Sequence, residues 1–312
     1  MINIRGKIWI NIVLFAVTVV STFVVGISWS LSFKYADVLS QPQEVNLGIK
    51  IFEDPQVIYL SIIYALVLII ILLGHELGHF LTCQHYQIES TLPYFIPAPT
   101  LIGTLGAFIK IKSPITRKKQ LFDIGVAGPL TGFVLAVPAL VYGLSLSKVV
   151  PALPQEGTLV FGEPLLLKLA ASIIFENIPP NHDIILHPVA FAGWVGIFVT
   201  ALNLFPVGQL DGGHVSYALF GGKSKNLAKI FLGIFIIMGI FFWLGWFLWA
   251  FIILLLGLRH PRVIDEGSSL SPGRKFVGFL VLLIFILSFI PDPIKGYEGA
   301  NLIEIIRKLL PL

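Results

Sequence analysis

Long apolar stretches with few charges constrain the fold of this chain more than any other feature. They cover residues 8–33, 57–81, 121–147, 185–205, 228–257 and 276–290 of the 312-residue sequence. A transmembrane α-helix needs about 20 predominantly apolar residues to cross the hydrocarbon core of a bilayer. Only 12% of the residues are charged, about half the fraction in a typical soluble domain. The sequence therefore predicts an all-α polytopic membrane protein with about six transmembrane helices.

Three of these stretches need a closer interpretation. The first is too long for the apolar region of a signal peptide, so we expect it to be retained as a transmembrane helix. Residues 228–257 form either one long tilted helix or two helices that break near Gly239 or Gly245 and turn back. Residues 276–290 are only fifteen residues long, so this stretch either crosses a thinned bilayer or inserts partly.

The basic residues concentrate in alternate loops, which predicts the orientation of the chain. The loops at 34–56 and 148–184 each hold two lysines against four acidic residues. The N-terminus and the two other loops are basic, with Arg5, Lys7, Lys110, Lys112, Arg117, Lys118, Lys119, Lys223, Lys225 and Lys229. The positive-inside rule places these basic segments on the cytoplasmic side, and we expect a bacterial plasma membrane. Arg259, Arg262, Arg274 and Lys275 break the alternation unless residues 228–257 are a hairpin.

Two histidines and a glutamate interrupt the most apolar part of the chain. In GHELGH, His75 and His79 are four residues apart, so both imidazoles lie on one face of an α-helix. This spacing suits two ligands of one metal ion, and Glu76 is placed to take a proton from a metal-bound water. The alternative is a polar patch that holds helices together. Ionisable side chains are costly inside a bilayer unless they are partnered, which favours the metal site.

A zinc ion bound by two histidines and a water needs one more protein ligand. The single cysteine, Cys83, excludes a cysteine-based cage, and we expect it to be buried as a small apolar residue. Asp211, in NLFPVGQLDGGH, ends the fourth apolar stretch on the predicted side of the histidine pair. Aspartate is also a common helix N-cap, so spacing alone leaves the ligand and the capping interpretations open.

Three motifs of this chain together resemble those of the site-2 proteases, which are integral-membrane zinc metalloproteases that cut within membrane spans. HELGH at 75–79 is similar to the zinc helix of that family, and NLFPVGQLDGG at 203–213 to the element that supplies its third ligand. FDIGVAGPLTGF at 122–133 is similar to the glycine-rich segment between them. The resemblance points to the bacterial and plastid branch, without an inserted PDZ domain.

The resemblance implies one Zn²⁺ per chain, held by His75, His79 and Asp211, with Glu76 as the catalytic base. It also favours Asn203 as a donor to the oxyanion over the alternative of an interhelical hydrogen bond. The expected function is an intramembrane zinc endopeptidase that hydrolyses peptide bonds in or near transmembrane segments. The alternative is a catalytically silent module that binds membrane proteins, although such a module would not need the glutamate.

The same resemblance organises the chain into three regions. We expect a first helix and external loop at 1–56, a catalytic membrane core at 57–220, and C-terminal helices with a short tail at 221–312. Within the core, residues 92–115 resemble a membrane-associated segment of the family. The sequence TLGAFIKIK alternates as a half-buried strand does, so we predict an edge strand within 101–112 that binds extended substrate by main-chain hydrogen bonds.

The expected partners are membrane-protein substrates and the lipid bilayer, without nucleic acid, and a homo-oligomer is left open. We also predict structural roles for three further groups of residues. Gly125, Gly128, Gly132 and Pro129 are expected to let their helix approach the zinc helix closely and bend there. Asp123 is expected to stabilise the N-terminal dipole of its helix. His214 is given no ligand role and is expected on a helix surface.

Overall fold

The computed structural model describes residues 8–36, 54–152, 160–258, 260, 261, 263–265, 267–295 and 302. The helices in chain order are α1 Ile8–Lys34, α2 Pro55–His85, α3 Lys118–Ser145, α4 Leu165–Ile174, α5 Pro188–Asn203, α6 Asp211–Phe220, α7 Ser224–Phe241, α8 Gly245–Leu256 and α9 Pro272–Ser288. The strands are β1 Tyr94–Pro97, β2 Thr104–Phe108, β3 Lys148–Pro151, β4 Val160–Phe161, β5 His182–Ile185 and β6 Ile294–Lys295. The fold is therefore mainly helical, as predicted, with short two-stranded sheets.

Four helical segments are long and apolar enough to cross a bilayer, namely α1, α2, α3 and the segment Asp211–Phe241 that contains α6 and α7. The helices α4, α5 and Gly245–Leu255 are apolar but shorter. These lengths support a multi-pass membrane protein, whereas the predicted count of six spans is not confirmed. Of the charged residues used for the predicted orientation, Arg5, Lys7, Arg259, Arg262 and most of those in the loop 34–56 lie outside the described residues.

The long apolar stretch at 228–257 is two helices. Helix α7 ends at Phe241 and α8 begins at Gly245. A Cβ atom added to Gly239 would lie 2.8 Å from the ring of Phe247, so the two helices pack closely. The alternative of a break near Gly245 is therefore the one that the structure adopts.

The chain divides into two compact units, of which the first comprises Met1–Pro114, Leu130–Leu153 and Leu167–Val199. In this unit α1 and α2 pack antiparallel through small residues. A Cβ atom on Gly26 would lie 2.9 Å from the Tyr64 ring, and the hydroxyls of Ser30 and Ser61 are 3.2 Å apart. At one end of the pair Lys34 binds Asp54, the N-cap of α2. The hydrogen bond from Lys34 lowers the pKa of Asp54 to about 2.

Strands β1 and β2 form an antiparallel hairpin in the first unit, with Tyr94 opposite Phe108. The amide of Asn11 donates to the Leu92 carbonyl at 3.1 Å, and the Trp29 indole donates to the Leu101 carbonyl at 2.9 Å. Asn11 and Trp29 are separated by about 27 Å along α1, at 1.5 Å per residue. The hairpin therefore follows an apolar helix for most of its length, and β2 confirms a strand within the predicted segment.

The second unit comprises Ile115–Pro129, Pro154–Leu166 and Thr200–Leu312. Its core surrounds Phe205, which is 1% exposed. Five aromatic rings lie with centroids between 4.5 and 5.9 Å from the Phe205 ring, those of Phe231, Phe235, Trp246, Phe285 and Phe289. This cluster is contributed by three helices and the residue after α9, and it anchors the segment that precedes Asp211.

Asp123 has a different partner from the one predicted. Helix α3 begins at Lys118, so Asp123 lies in its second turn and not at its N-terminus. The Arg274 side chain donates two hydrogen bonds to the Asp123 carboxylate, from Nε at 2.8 Å and from Nη2 at 2.7 Å. The carboxylate therefore fixes the start of α9 against α3 within the second unit.

Candidate metal centre

The histidine pair lies on α2, inside the first unit. His75 and His79 are only 5% and 6% exposed, and their Nε2 atoms are 3.2 Å apart. Residues four apart on a helix share a face, which is why the pair meets without help from other segments. Glu76 is 5% exposed, and its Oε1 atom lies 4.0 Å from His75 Nε2.

Gly132 of α3 packs against the ring of His75. A Cβ atom on Gly132 would lie 3.1 Å from His75 Nδ1, which is tighter than most side-chain contacts. On α2 itself, a Cβ atom on Gly74 would collide with Leu135. Glycine at both positions lets α2 and α3 approach, so the predicted packing role of Gly132 is confirmed. This close approach limits the rotation of the His75 ring.

Asp211 is the first residue of α6, in the second unit. The N-cap is Leu210, which makes no side-chain capping bond, so the alternative in which Asp211 is the N-cap is wrong. The glycines that follow pack against a preceding turn. A Cβ atom on Gly213 would lie 2.5 Å from the Gly208 carbonyl oxygen, and one on Gly212 would overlap the Leu204 carbonyl. Only glycine permits this approach, which fixes where α6 begins.

The three predicted ligands lie close enough together to hold one metal ion. One ligand atom of each of His75, His79 and Asp211 lies within 4.8 Å of the other two. Two nitrogen ligands of a tetrahedral zinc, each at about 2.05 Å from the metal, are about 3.3 Å apart. The observed 3.2 Å between the histidine nitrogens matches that edge. The donor set of two imidazoles and a carboxylate also suits Zn²⁺.

The profile of peptidase family M50 matches residues 63–246, a range that includes all five predicted site residues. The chain belongs to peptidase family M50. This M50 chain is 33% identical to the probable zinc metalloprotease EGY1, chloroplastic, of Oryza sativa subsp. japonica over 68% of its own length and 38% of that protein. It is 30% identical to the protein of the same name from Arabidopsis thaliana, over 94% of its own length and 55% of the relative. The M50 chain thus spans about half the length of these relatives or less.

The remaining predicted residues have distinct places in the M50 chain. Asn203 is the last residue of α5, at the start of the turn that leads to Asp211. Cys83 is fully buried, as expected. No cluster of three or more ligand residues in the described part of the chain includes His85, His182, His187 or His260.

Sequence reasoning missed a second histidine pair. His214 was expected on a helix surface, but its Nδ1 atom lies 2.6 Å from Nε2 of His260. His260 is in the segment between α8 and α9, forty-six residues later in the sequence. No periodicity connects two residues so far apart, so the sequence carried no signal for this contact.

Proposed function

We propose that this protein is an intramembrane zinc endopeptidase, with His75, His79 and Asp211 as the zinc ligands. The observation that carries the proposal is the approach of two imidazoles and a carboxylate in a chain of long apolar helices. Ionisable groups at such positions are costly, and where they occur they mark functional sites. The relatives, whose names call them probable zinc metalloproteases, support the same assignment.

Zinc, when bound, supplies a Lewis acid and lowers the pKa of a water molecule. Glu76 follows the first ligand on α2, and its carboxylate accepts the proton of the attacking water. The same carboxyl group then returns the proton to the leaving amine. The side-chain amide of Asn203 donates a hydrogen bond to the carbonyl oxygen of the substrate as negative charge develops there.

The substrates are proposed to be membrane-spanning segments that unwind before cleavage, and β2 is the proposed binding edge. Thr91 N donates to the Lys110 carbonyl at 3.0 Å and Lys112 N donates to the Glu89 carbonyl at 2.8 Å. Among the described strands β2 pairs only with β1, so its other edge has no strand partner there. An extended peptide can pair there through main-chain hydrogen bonds, without a required side-chain sequence.

The binding edge can be tested with a proline. Ala107→Pro removes one backbone donor of β2 and should slow cleavage several-fold without changing zinc content, whereas Ala107→Val keeps the donor. Cleavage by the proline variant at the rate of the valine variant would exclude this edge.

We further propose that the zinc ligands lie toward the cytoplasmic side of a bacterial plasma membrane, since the basic loops mark that side. The named relatives are chloroplastic proteins, so the orientation needs its own test. Gln84 is partly exposed, whereas the native Cys83 is fully buried. A membrane-impermeant thiol reagent should label Gln84→Cys from the cytoplasmic side. Labelling from the opposite side would reverse the proposed orientation.

The catalytic proposal is tested with two variants in liposomes that contain a transmembrane-segment substrate. Glu76→Gln should keep zinc but lower the cleavage rate by about 10²–10⁴-fold, because glutamine cannot accept the water proton. Asp211→Ala should lose zinc and activity together. A silent binding module would instead show no zinc-dependent cleavage in the unmodified chain.

A further inference from the structure

The second histidine pair joins a loop to the helix that carries Asp211. His214 Nδ1 and His260 Nε2 are 2.6 Å apart, and the two rings meet edge to face. The His260 ring also stacks on Tyr217, with centroids 4.6 Å apart and an interplanar angle of 25°. Tyr217 is 3% exposed, so the stack rests on a fixed surface. His260 therefore contacts two successive turns of α6.

A backbone carbonyl determines which ring nitrogen carries each proton. His260 Nδ1 lies 2.6 Å from the Pro261 carbonyl oxygen, which can only accept a hydrogen bond. Nδ1 of His260 is therefore protonated, and burial lowers the pKa of His260, which favours the neutral ring. In a neutral ring with a proton on Nδ1, Nε2 is an acceptor. His214 must then donate from its own Nδ1, so the hydrogen bond has a defined direction.

The pair lies one turn from the proposed zinc ligand. Asp211 and His214 are three residues apart on α6 and so lie on neighbouring positions of the helix surface. A Cβ atom on Gly125 would lie 2.9 Å from His214 Cβ and 3.2 Å from the Asp211 carbonyl oxygen. The first turn of α6 is thus held by α3 on one face, while His260 holds the histidine side chain.

The same loop also supports the turn that precedes α6. A Cβ atom on Gly208 would lie 2.6 Å from the Gly257 carbonyl oxygen. Gly208 has a φ of +55°, which side-chain-bearing residues rarely adopt. The segment after α8 therefore contacts the approach to Asp211 at Gly257, and α6 itself at His260.

We propose that His260 is a positioning residue, which fixes α6 through its hydrogen bond with His214 so that Asp211 is held ready to bind zinc. The inference rests on the proposed role of Asp211 as a ligand. Partners that orient a metal ligand commonly contribute 10- to 100-fold to metal affinity or activity. Because His260 acts on Asp211 only through His214, we expect an effect at the lower end of that range.

The experiment compares three variants of the full chain in detergent, with two readouts that do not depend on proteolysis. His260→Ala removes the acceptor, whereas His260→Gln places an amide oxygen near the position of Nε2. His182→Ala is the matched control. The Nδ1 atom of His182 also lies near a backbone carbonyl oxygen, that of Pro180 at 3.1 Å, but His182 belongs to β5 and not to the segment after α8. Zinc affinity is measured by chelator competition, and hydrogen exchange of the α6 amides is measured in the zinc-free protein.

We expect His260→Ala to weaken zinc binding about tenfold and to accelerate exchange in the first turn of α6. His260→Gln should recover most of both, and His182→Ala should match the unmodified chain. In the cleavage assay, kcat should fall while KM is unchanged. Unchanged exchange and zinc affinity in His260→Ala would overturn the inference. If the unmodified chain binds no zinc, the proposed function fails, but the exchange readout still tests whether His260 fixes α6.

Discussion

Two histidine pairs in this protein bring ring nitrogens close together, and they do so in different ways. His75 and His79 are four residues apart on one helix, with their Nε2 atoms at 3.2 Å. His214 and His260 are forty-six residues apart and meet through Nδ1 and Nε2 at 2.6 Å. The first distance is close to the edge of a zinc tetrahedron, about 3.3 Å. The second is a hydrogen-bond distance and is too short for two ligands of one ion.

The distance in the first pair therefore allows a shared metal ion, whereas the shorter distance in the second pair allows only a shared proton. The surroundings agree with this distinction. The first pair has a carboxylate neighbour, Glu76, and a third ligand atom within 4.8 Å. The second pair ends at the Pro261 carbonyl, which orients a proton and offers no negative charge. Because both pairs consist of histidines, residue type alone would not show which pair can bind a metal ion.

The largest expected difference is in zinc binding. His79→Ala removes a ligand and should weaken zinc affinity by more than about 100-fold, beyond the range of indirect partners. His214→Ala should weaken it by about tenfold, because it removes only the contact that orients α6. Chelator competition measures both values, and the exposed His85→Ala is the control on α2. Equal losses in the two variants would mean that the pairs do not differ in role.

The next expected difference is between two glycines of α3, each of which packs against one histidine pair. A Cβ atom would lie 2.9 Å from His214 Cβ at Gly125, and 3.1 Å from His75 Nδ1 at Gly132. Gly125→Ala should therefore lower the free energy of unfolding by about 1–3 kcal/mol, the usual cost of overpacking. Gly132→Ala should mainly weaken zinc binding, because the added Cβ would push the ring of His75 out of its position.

Gly233→Ala provides the reference for these variants, since nothing lies within 4 Å of a Cβ atom added there. It should raise the stability of α7 by up to about 1 kcal/mol. Unfolding in mixed micelles and zinc titration measure the two quantities separately. A loss of stability in Gly233→Ala similar to that in Gly125→Ala would show that the contact with His214 is not the cause, because alanine favours a helix more than glycine does.

The smallest expected effect is a pH dependence at the second pair. Burial lowers the pKa of His260 in the folded protein below its value in the unfolded chain. The unfolded chain therefore binds more protons between the two values, and stability falls as pH decreases through that window. The contribution is complete above the unfolded value, about 6.5. His260→Gln should show a shallower loss of stability from pH 7 to pH 5, measured by unfolding at each pH.

The sequence predicted the first pair because its geometry is local. Helical periodicity alone places His75 and His79 on one face, and the apolar stretches predicted at 8–33 and 57–81 correspond closely to α1 Ile8–Lys34 and α2 Pro55–His85. The family motif indicated Asp211, while the structure excluded its alternative role as an N-cap. The catalytic roles of Glu76 and Asn203 stay predictions.

The features that escaped prediction depend on contacts between distant segments. His260 reaches His214 across forty-six residues, and Arg274 reaches Asp123 across 151. For residues 228–257 the sequence offered Gly239 and Gly245 as places for a break, but it left one long helix equally open. Tertiary packing decides between such alternatives, and here the close contact of Gly239 with Phe247 stabilises two helices.

The ion pair of Lys34 and Asp54 at the start of α2 has a consequence for the products of the proposed cleavage. Charged groups favour the water-facing boundary of a bilayer, and His75 lies about 32 Å farther along α2. That distance is close to the hydrocarbon thickness of about 30 Å. A peptide bond cut at this depth would lie near the opposite boundary, so one fragment would keep an almost complete membrane anchor while the other would enter water with few apolar residues. Mass spectrometry of the fragments should place the cut within the last two turns of the substrate segment, and a cut at its centre would contradict this geometry.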